Sequence, residues 1–344
     1  MITKKLLYIT VLLALCGMNK ATAQSMHFSQ YYNSPLLLNP ANTALMPEYD
    51  YRLGANFRNQ WAALPVPYNT VDAFGDFKIG GNGETVHNNW LGLGGAIFSD
   101  KAGSGSLALL QFQFSAAYHL NFNEKSMLSF GLSGGYVQRS VNYDALTFDN
   151  QWDGLSFNTH MPNGERVGVL KTNFTTIGAG LNYAYIPNEE AYINVGIGVA
   201  NINQPIESFY NGSNQISMRP NFNLDMLFRT SDKLILNPSA YFTAQNGASE
   251  LVFGSLTRIN MTSPRDPKAS QLILGLYDRW NDAIIGVIGY QIGGLQFMAN
   301  YDFTLSTLSP YNAAYGAFEV SLIYGGVYYK NKGGKKMYSC PRFN

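Results

Sequence analysis

From Tyr51 almost to the C-terminus the chain alternates apolar and polar residues with a period of two, and beyond residue 23 no long stretch repeats apolar residues at i, i+3, i+4 and i+7. That pattern predicts an all-β protein. On one predicted strand Leu110, Phe112, Phe114, Ala116, Tyr118 and Leu120 share a face opposite Gln111, Gln113, Ser115, His119 and Asn121. On another, Ile193, Val195, Ile197 and Val199 oppose Asn194, Gly196 and Gly198. Phe222, Leu224, Met226 and Phe228 oppose Asn221, Asn223, Asp225 and Arg229, and Leu295, Phe297, Ala299, Tyr301 and Phe303 oppose Gln296, Met298, Asn300 and Asp302.

The polar face separates two architectures. A sheet facing bulk water is typically rich in Lys, Glu and Thr, whereas here that face is mostly Gly, Asn, Gln and Ser, which suits a crowded barrel lumen. Charged residues make up only 13% of the chain, against about 25% in ordinary soluble domains. The apolar faces carry Tyr118, Tyr136, Tyr185, Tyr301 and Tyr324 in positions that suit girdles at a membrane interface. The expectation is a transmembrane outer-membrane β-barrel of about 14 antiparallel strands, each of roughly 9 to 11 residues. Strands are expected to start near Tyr51, Asn69, Trp90, Leu107, Met127, Phe174, Ala191, Arg219, Leu234, Leu251, Gln271, Ala283, Leu295 and Gly316. Tight turns near Glu124, Asn188, Asp232 and Gly293 alternate with long links over 141–173, 201–218 and 304–315, as short periplasmic turns and long outer loops do. An even strand count puts both termini in the periplasm.

Residues 1–23 read as an export signal: Lys4 and Lys5, an apolar run from Leu6 to Leu15, then Ala21-Thr22-Ala23 before the cleavage point. Its removal takes Lys4, Lys5 and Lys20 from the 23 basic groups, leaving 20 against 22 acidic groups. A net charge of −2 supplies no basic field for nucleic acid, so none is expected as a partner. Cys16 leaves with the signal, so Cys340 has no intramolecular partner. Residues 24–50 are read as an N-terminal plug or arm, 51–329 as the barrel and 330–344 as a basic periplasmic tail.

Reactive chemistry is sparse. Gly131-Leu132-Ser133-Gly134-Gly135 has the letters of a nucleophile elbow, but that elbow needs a strand-to-helix turn and no helix follows. His27, His87, His119 and His160 lack the paired spacing of a metal site. Asp144, Asp149 and Asp153, with Asn142 and Asn150, offer calcium-type oxygen donors, yet their spacing is not that of an EF-hand and solvated loop carboxylates are the preferred reading. No enzymatic activity and no cofactor are expected.

Three segments stand out. In the first, Phe28, Ser29, Gln30, Tyr31, Ser34, Pro35, Asn39, Pro40 and Ala41 mark a stretch whose prolines exclude a central strand while its aromatics and leucines resist solvation. It either enters the lumen or closes its periplasmic mouth as a plug, or lies along the periplasmic rim. In the second, Tyr143, Phe148, Trp152 and Phe157 interleave with the loop carboxylates and are candidate partner contacts on the outer side. In the third, Lys332, Lys335, Lys336, Arg342 and Phe343 form a candidate docking element in the tail.

Phe28 to Ala41, read F-S-Q-Y-Y-N-S-P-L-L-L-N-P-A, followed by Tyr51-Arg52 and Arg58-Asn59-Gln60-Trp61, resembles the PorP/SprF family of Bacteroidetes outer-membrane proteins. The resemblance implies an outer-membrane accessory of type IX secretion, needed for export or surface attachment of cargo such as gliding adhesins. Its implied partners are the outer-membrane bilayer, type IX secretion components including periplasmic lipoproteins, and secreted surface cargo. Asn39-Pro40-Ala41 also resembles the plug motif of FadL-type transporters of small hydrophobic ligands. That rival requires an apolar pocket inside the lumen.

Overall fold

The computed structural model describes residues 28–46, 49–61, 67–80, 89–103, 107–158, 160–162, 164, 169–210, 212–262, 269–306 and 315–328. Residues 1–23 and 330–344 lie outside these, as do His27 and His87 and the candidate tail residues Lys332, Lys335, Lys336, Arg342 and Phe343. The strands are β1 (Tyr51–Gln60), β2 (Tyr68–Ile79), β3 (Trp90–Ala102), β4 (Leu107–Asn123), β5 (Ser126–Asn142), β6 (Val169–Asn188) and β7 (Ala191–Ala200). They continue with β8 (Arg219–Ser231), β9 (Leu234–Gln245), β10 (Ala248–Asn260), β11 (Ser270–Arg279), β12 (Ala283–Ile292), β13 (Leu295–Thr304) and β14 (Tyr315–Gly326). Each pairs antiparallel with its sequence neighbours, and β14 returns to β1 with Tyr51 opposite Gly326, closing a 14-strand barrel. Closure matters because each described strand has a partner on both sides through the shared body of the barrel, the condition for backbone to sit in hydrocarbon.

The period of two becomes inside and outside. Phe114, Leu132, Leu276 and Ile288 point outward and stay exposed, while Ser115, His119, Ser129 and Asn182 point inward and are buried. Tyr118, Tyr185 and Tyr324 sit on the outer surface towards the rim where β1 starts and β14 ends, here called the terminal rim. The opposite end is the loop rim, from which 143–168 and 201–218 emerge.

Four sequence expectations need correction. Strands run from 10 to 20 residues rather than about 9 to 11, because β4, β5 and β6 continue their ladders past the others at the loop rim. For the same reason β6 starts at Val169, not Phe174, and the link from β5 is correspondingly shorter. β10 starts at Ala248, not Leu251, because Asn246 and Gly247 (φ 49° and 84°) make a two-residue hairpin turn with both φ values positive. Finally, the inward wall is polar or glycine at most of its described buried positions, as read, but not at every one. From β9 to β13 it presents Tyr241, Val252, Leu256, Ile273, Tyr277, Ile285, Val287 and Met298, all buried. An apolar inner wall is stable here because the lumen is filled by protein rather than water.

Candidate functional site

What fills it is the segment 28–46. Single turns at Tyr31–Asn33, Pro35–Leu38 and Pro40–Asn42 keep it compact, and the prolines open two of them, where a missing N–H costs nothing. Phe28, Ser29, Gln30, Tyr31, Ser34, Pro35, Asn39, Pro40 and Ala41 are all buried inside the barrel. The segment starts towards the loop rim and descends to the terminal rim, where Ala44 meets Asp76 near the end of β2 and Trp90 at the start of β3.

Its upper end is held by charge. Glu319 on β14 accepts the backbone N–H groups of Ser29 and Gln30 at 2.7 and 2.9 Å. Ser29 Oγ donates to Asp302 on β13 at 2.6 Å and accepts from Arg58 on β1 at 2.8 Å. Arg58 also pairs with Asp302 at 3.0 Å and with Glu319. Arg279, the last residue of β11, reaches Asp302 at 3.1 Å and Ser29 Oγ. Buried charges of this kind are tolerated only when each has partners, and here the N-terminal segment supplies part of the set.

One residue on, Gln30 donates to Asn300 at 2.5 Å and accepts from Ser321 at 2.7 Å. The Tyr31 ring stacks on Tyr241 with centroids 5.2 Å apart, and its hydroxyl donates to Ser239 at 2.8 Å. Leu36 and Leu37 pack with Phe28, Phe74 and Phe98 on the opposite wall. Burying each such side chain contributes about 1.5–3 kcal/mol.

The middle of the segment sits in a seat cut by glycines. Asn39 Nδ2 donates to the carbonyls of Leu181 and Ile197 at 3.3 Å each and to Asn223 Oδ1 at 3.2 Å, bridging β6, β7 and β8. Its Oδ1 accepts from Ala41 N at 2.9 Å, so one side chain both ties the turn and anchors it. A Cβ at Gly131 would come within 2.5 Å of the Pro40 carbonyl oxygen and closer still to Ala41 N, and Gly92 and Gly180 leave equally little room for Thr43 and Asn39. Below the seat, His119 Nε2 donates to the Thr43 carbonyl at 2.8 Å, so its Nδ1 accepts from Ser129 at 2.7 Å. Both ring nitrogens are thereby engaged. Ser133 faces the lumen on β5 opposite Ser115.

The segment stands between two cavities. One of about 220 Å³ lies on the loop side, lined by Gln111, Arg139, Glu207, Arg219 and Asn221 above Leu36 and Leu37. The other, about 330 Å³, lies on the terminal side among Tyr32, Leu45, Met46, Tyr192, Asp225 and Arg258. Leu38 touches both.

The candidate contact residues of the loop between β5 and β6 do not join this site. Trp152 and Phe157 are exposed and packed edge to face with centroids 5.1 Å apart, while Phe148 is half-buried. Tyr143 shares a hydroxyl contact of 2.8 Å with Tyr210. Among the described residues no three of His, Cys, Asp and Glu converge as metal ligands.

The family model for the type IX secretion system membrane protein PorP/SprF matches residues 20–324. The chain belongs to that family. Among solved structures, this PorP/SprF barrel resembles a Pseudomonas aeruginosa FadL homologue at 11% identity and a TM-score of 0.49, over 85% of this chain and 94% of that one. It also resembles the CymD monoaromatic hydrocarbon channel, at 12% identity and a TM-score of 0.48 over 87% and 94% of the two chains. The KdgM porin follows at 7% identity and a TM-score of 0.38, over 80% and 98%. No curated protein sequence matches the chain. The PorP/SprF chain is thus an outer-membrane β-barrel of a secretion-system family.

The charge cluster is the part that sequence reading passed over. Asp302 had been placed on a polar face and Arg58 in the family motif, but neither had been given a partner. The usable signal was parity: Glu319 and Arg279 are charged residues at positions that share the inward face of their strands with Ser321 and with Ile273 and Tyr277.

Proposed function

We propose that this barrel is a non-enzymatic accessory of type IX secretion that supports export or surface attachment of cargo, such as gliding adhesins, through protein contacts at its rims. One observation carries the reading: the lumen is occupied by the chain's own residues 28–46, which stand between the two cavities. A barrel filled in this way offers its rims and loops, rather than a passage, to its partners. In this reading the segment is a plug, the terminal rim faces the periplasm and its secretion lipoproteins, and the loop rim with Tyr143, Phe148, Trp152 and Phe157 faces outward. The non-enzymatic assignment is supported by His119, whose ring nitrogens are both taken, and by the place of Ser133 within a strand rather than at a strand-to-helix turn. The test is removal of the gene and complementation. Cargo should accumulate unexported without the protein and return to the surface with it, and unchanged cargo display in its absence would overturn the reading.

The 330 Å³ cavity, with Tyr32, Leu45, Met46 and Tyr192 on its wall, supports a second reading as a transporter of a small hydrophobic ligand. Ligand uptake that depends on these side chains while cargo export does not would favour it.

A further inference from the structure

Residues 148–158 of the outer loop form a small preformed finger. Trp152 and Phe157 are bridged across it, and Gly154 turns the tip at φ 99°. Asp153 Oδ1 accepts the N–H groups of Leu155 and Ser156 at 2.9 and 2.8 Å, and Asp153 N donates to the Ser156 carbonyl at 3.1 Å. At the base, buried Gln151 is the cleat. It accepts from Phe148 N at 3.1 Å, donates to the Met161 carbonyl at 3.0 Å, and its own carbonyl accepts from Asn158 N at 2.8 Å.

This frame holds Leu155 at 89% exposure, the highest of any large apolar residue among those described. Most other exposed large apolar side chains among the described residues lie on the strands, and Leu155 is the most exposed of those that stand on loops. Trp152 and Phe157 flank the turn that carries it and Met161 lies at the base, each more than a third exposed. Asp149 and Asp153 are exposed on the finger and Asp144 on the turn that leads into it, and the sequence from Tyr143 to Met161 contains no Lys or Arg. An apolar tip in an anionic collar rejects several occupants. Anionic headgroups and acidic polysaccharides are repelled by it, and a branched aliphatic tip offers a sugar neither a stacking face nor a hydrogen bond. It complements a protein surface with an apolar pocket ringed by cations, and its ordering cost is already met by the turn.

We propose that the 148–158 finger docks, through Leu155, into an apolar pocket rimmed by Lys and Arg on a protein partner. The proposal rests on the outward, contact-based role assigned above and adds the chemistry of the partner.

The experiment replaces Leu155 with the photo-crosslinker p-benzoylphenylalanine in the full chain in cells, with Ile206 on the neighbouring loop as the control position. Support is a protein adduct absent from position 206, whose cross-linked segment is net positive, and whose yield falls roughly tenfold when Asp144→Lys and Asp149→Lys are combined. Heat-modifiable migration of each variant verifies the barrel. Adducts only with lipopolysaccharide or with a second copy of the chain, no adduct above the control, or an adduct indifferent to charge reversal would each overturn the proposal. A strain lacking the whole protein separates the two ideas. Failed secretion there beside a silent position 155 removes the finger alone, whereas normal secretion there removes the accessory role.

Discussion

Replacing Gly131 by alanine tests whether the glycine seat holds the lumenal segment. The new Cβ would lie 2.5 Å from the Pro40 carbonyl oxygen, and ordinary contact begins near 3.4 Å, so something must retreat by about 1 Å. β5 is laddered on both sides by β4 and β6, whereas the segment has no ladder, so the segment yields. A retreat of that size takes Asn39 Nδ2 beyond reach of three acceptors that now lie at 3.2–3.3 Å. At about 1 kcal/mol net for each neutral hydrogen bond the seat loses roughly 3 kcal/mol. That is on the order of a 100-fold shift from the seated towards the displaced state. The assay is single-channel conductance in a planar bilayer, reading the fraction of time a large conductance is open. Gly134→Ala is the matched control three residues along the same strand, because a Cβ there meets nothing within 4 Å. Gly131→Ala should raise open time while Gly134→Ala leaves it unchanged, with both barrels heat-modifiable. Equal behaviour of the two variants would refute the reasoning.

Three further outcomes are expected. Arg58→Met leaves Glu319 with only the N–H groups of Ser29 and Gln30, which should cost about 3–5 kcal/mol as an uncompensated buried charge. The temperature at which the barrel loses its folded migration should drop, and Arg58→Lys should recover part of it. Asn237→Ala removes an amide that donates at 2.7 Å to the Met226 carbonyl, which lies opposite Pro238 where no backbone N–H is present. Hydrogen exchange should then quicken along β8 and β9 and not along β4 and β5, with a cost of roughly 1–3 kcal/mol. The N–H groups of Ser156 and Leu155 hold the Asp153 carboxyl below the ordinary carboxylate range, so the order of the finger tip is present at neutral pH and is lost as pH falls below about 4. Trp152 emission should change in that acid window, and in Asp153→Asn the acid-dependent change should be absent.

Alternation with a period of two is a local signal, and it located most strand starts within a residue or two: Tyr51, Trp90, Leu107, Ala191, Arg219, Leu234, Ala283 and Leu295 begin strands as read. Val169 was missed because Lys171 and Asn173 continue a ladder outside the apolar zone, where alternation carries no hydrophobic signal. Ala248 was missed although Asn246-Gly247 is a strong hairpin dipeptide, because the following Ser249 and Glu250 read as loop. The lumen was harder in kind. An inward Val252 or Ile285 is indistinguishable from a lipid-facing one until it is known that Tyr31 and Leu38 lie against that wall. The cluster of Ser29, Arg58, Arg279, Asp302 and Glu319 draws on β1, β11, β13, β14 and the segment, and no sequence spacing relates such elements.

That cluster also imposes an order in time. Ser29 is made 290 positions before Glu319. Arg58 and Glu319 face each other across the β1–β14 seam, the ladder that joins the two ends of the sheet. Until that seam forms, Ser29 has no carboxylate to receive its backbone N–H, and Arg58 lacks one of its two acids. The Ser29 end of the segment therefore completes its contacts only when the long loop between first and last contacts has closed, whereas the Asn39 and Thr43 contacts on β4 to β8 need no seam. The docking of that end marks a finished barrel, and an incomplete one is distinguishable by an exposed Phe28-to-Gln30 stretch open to proteases.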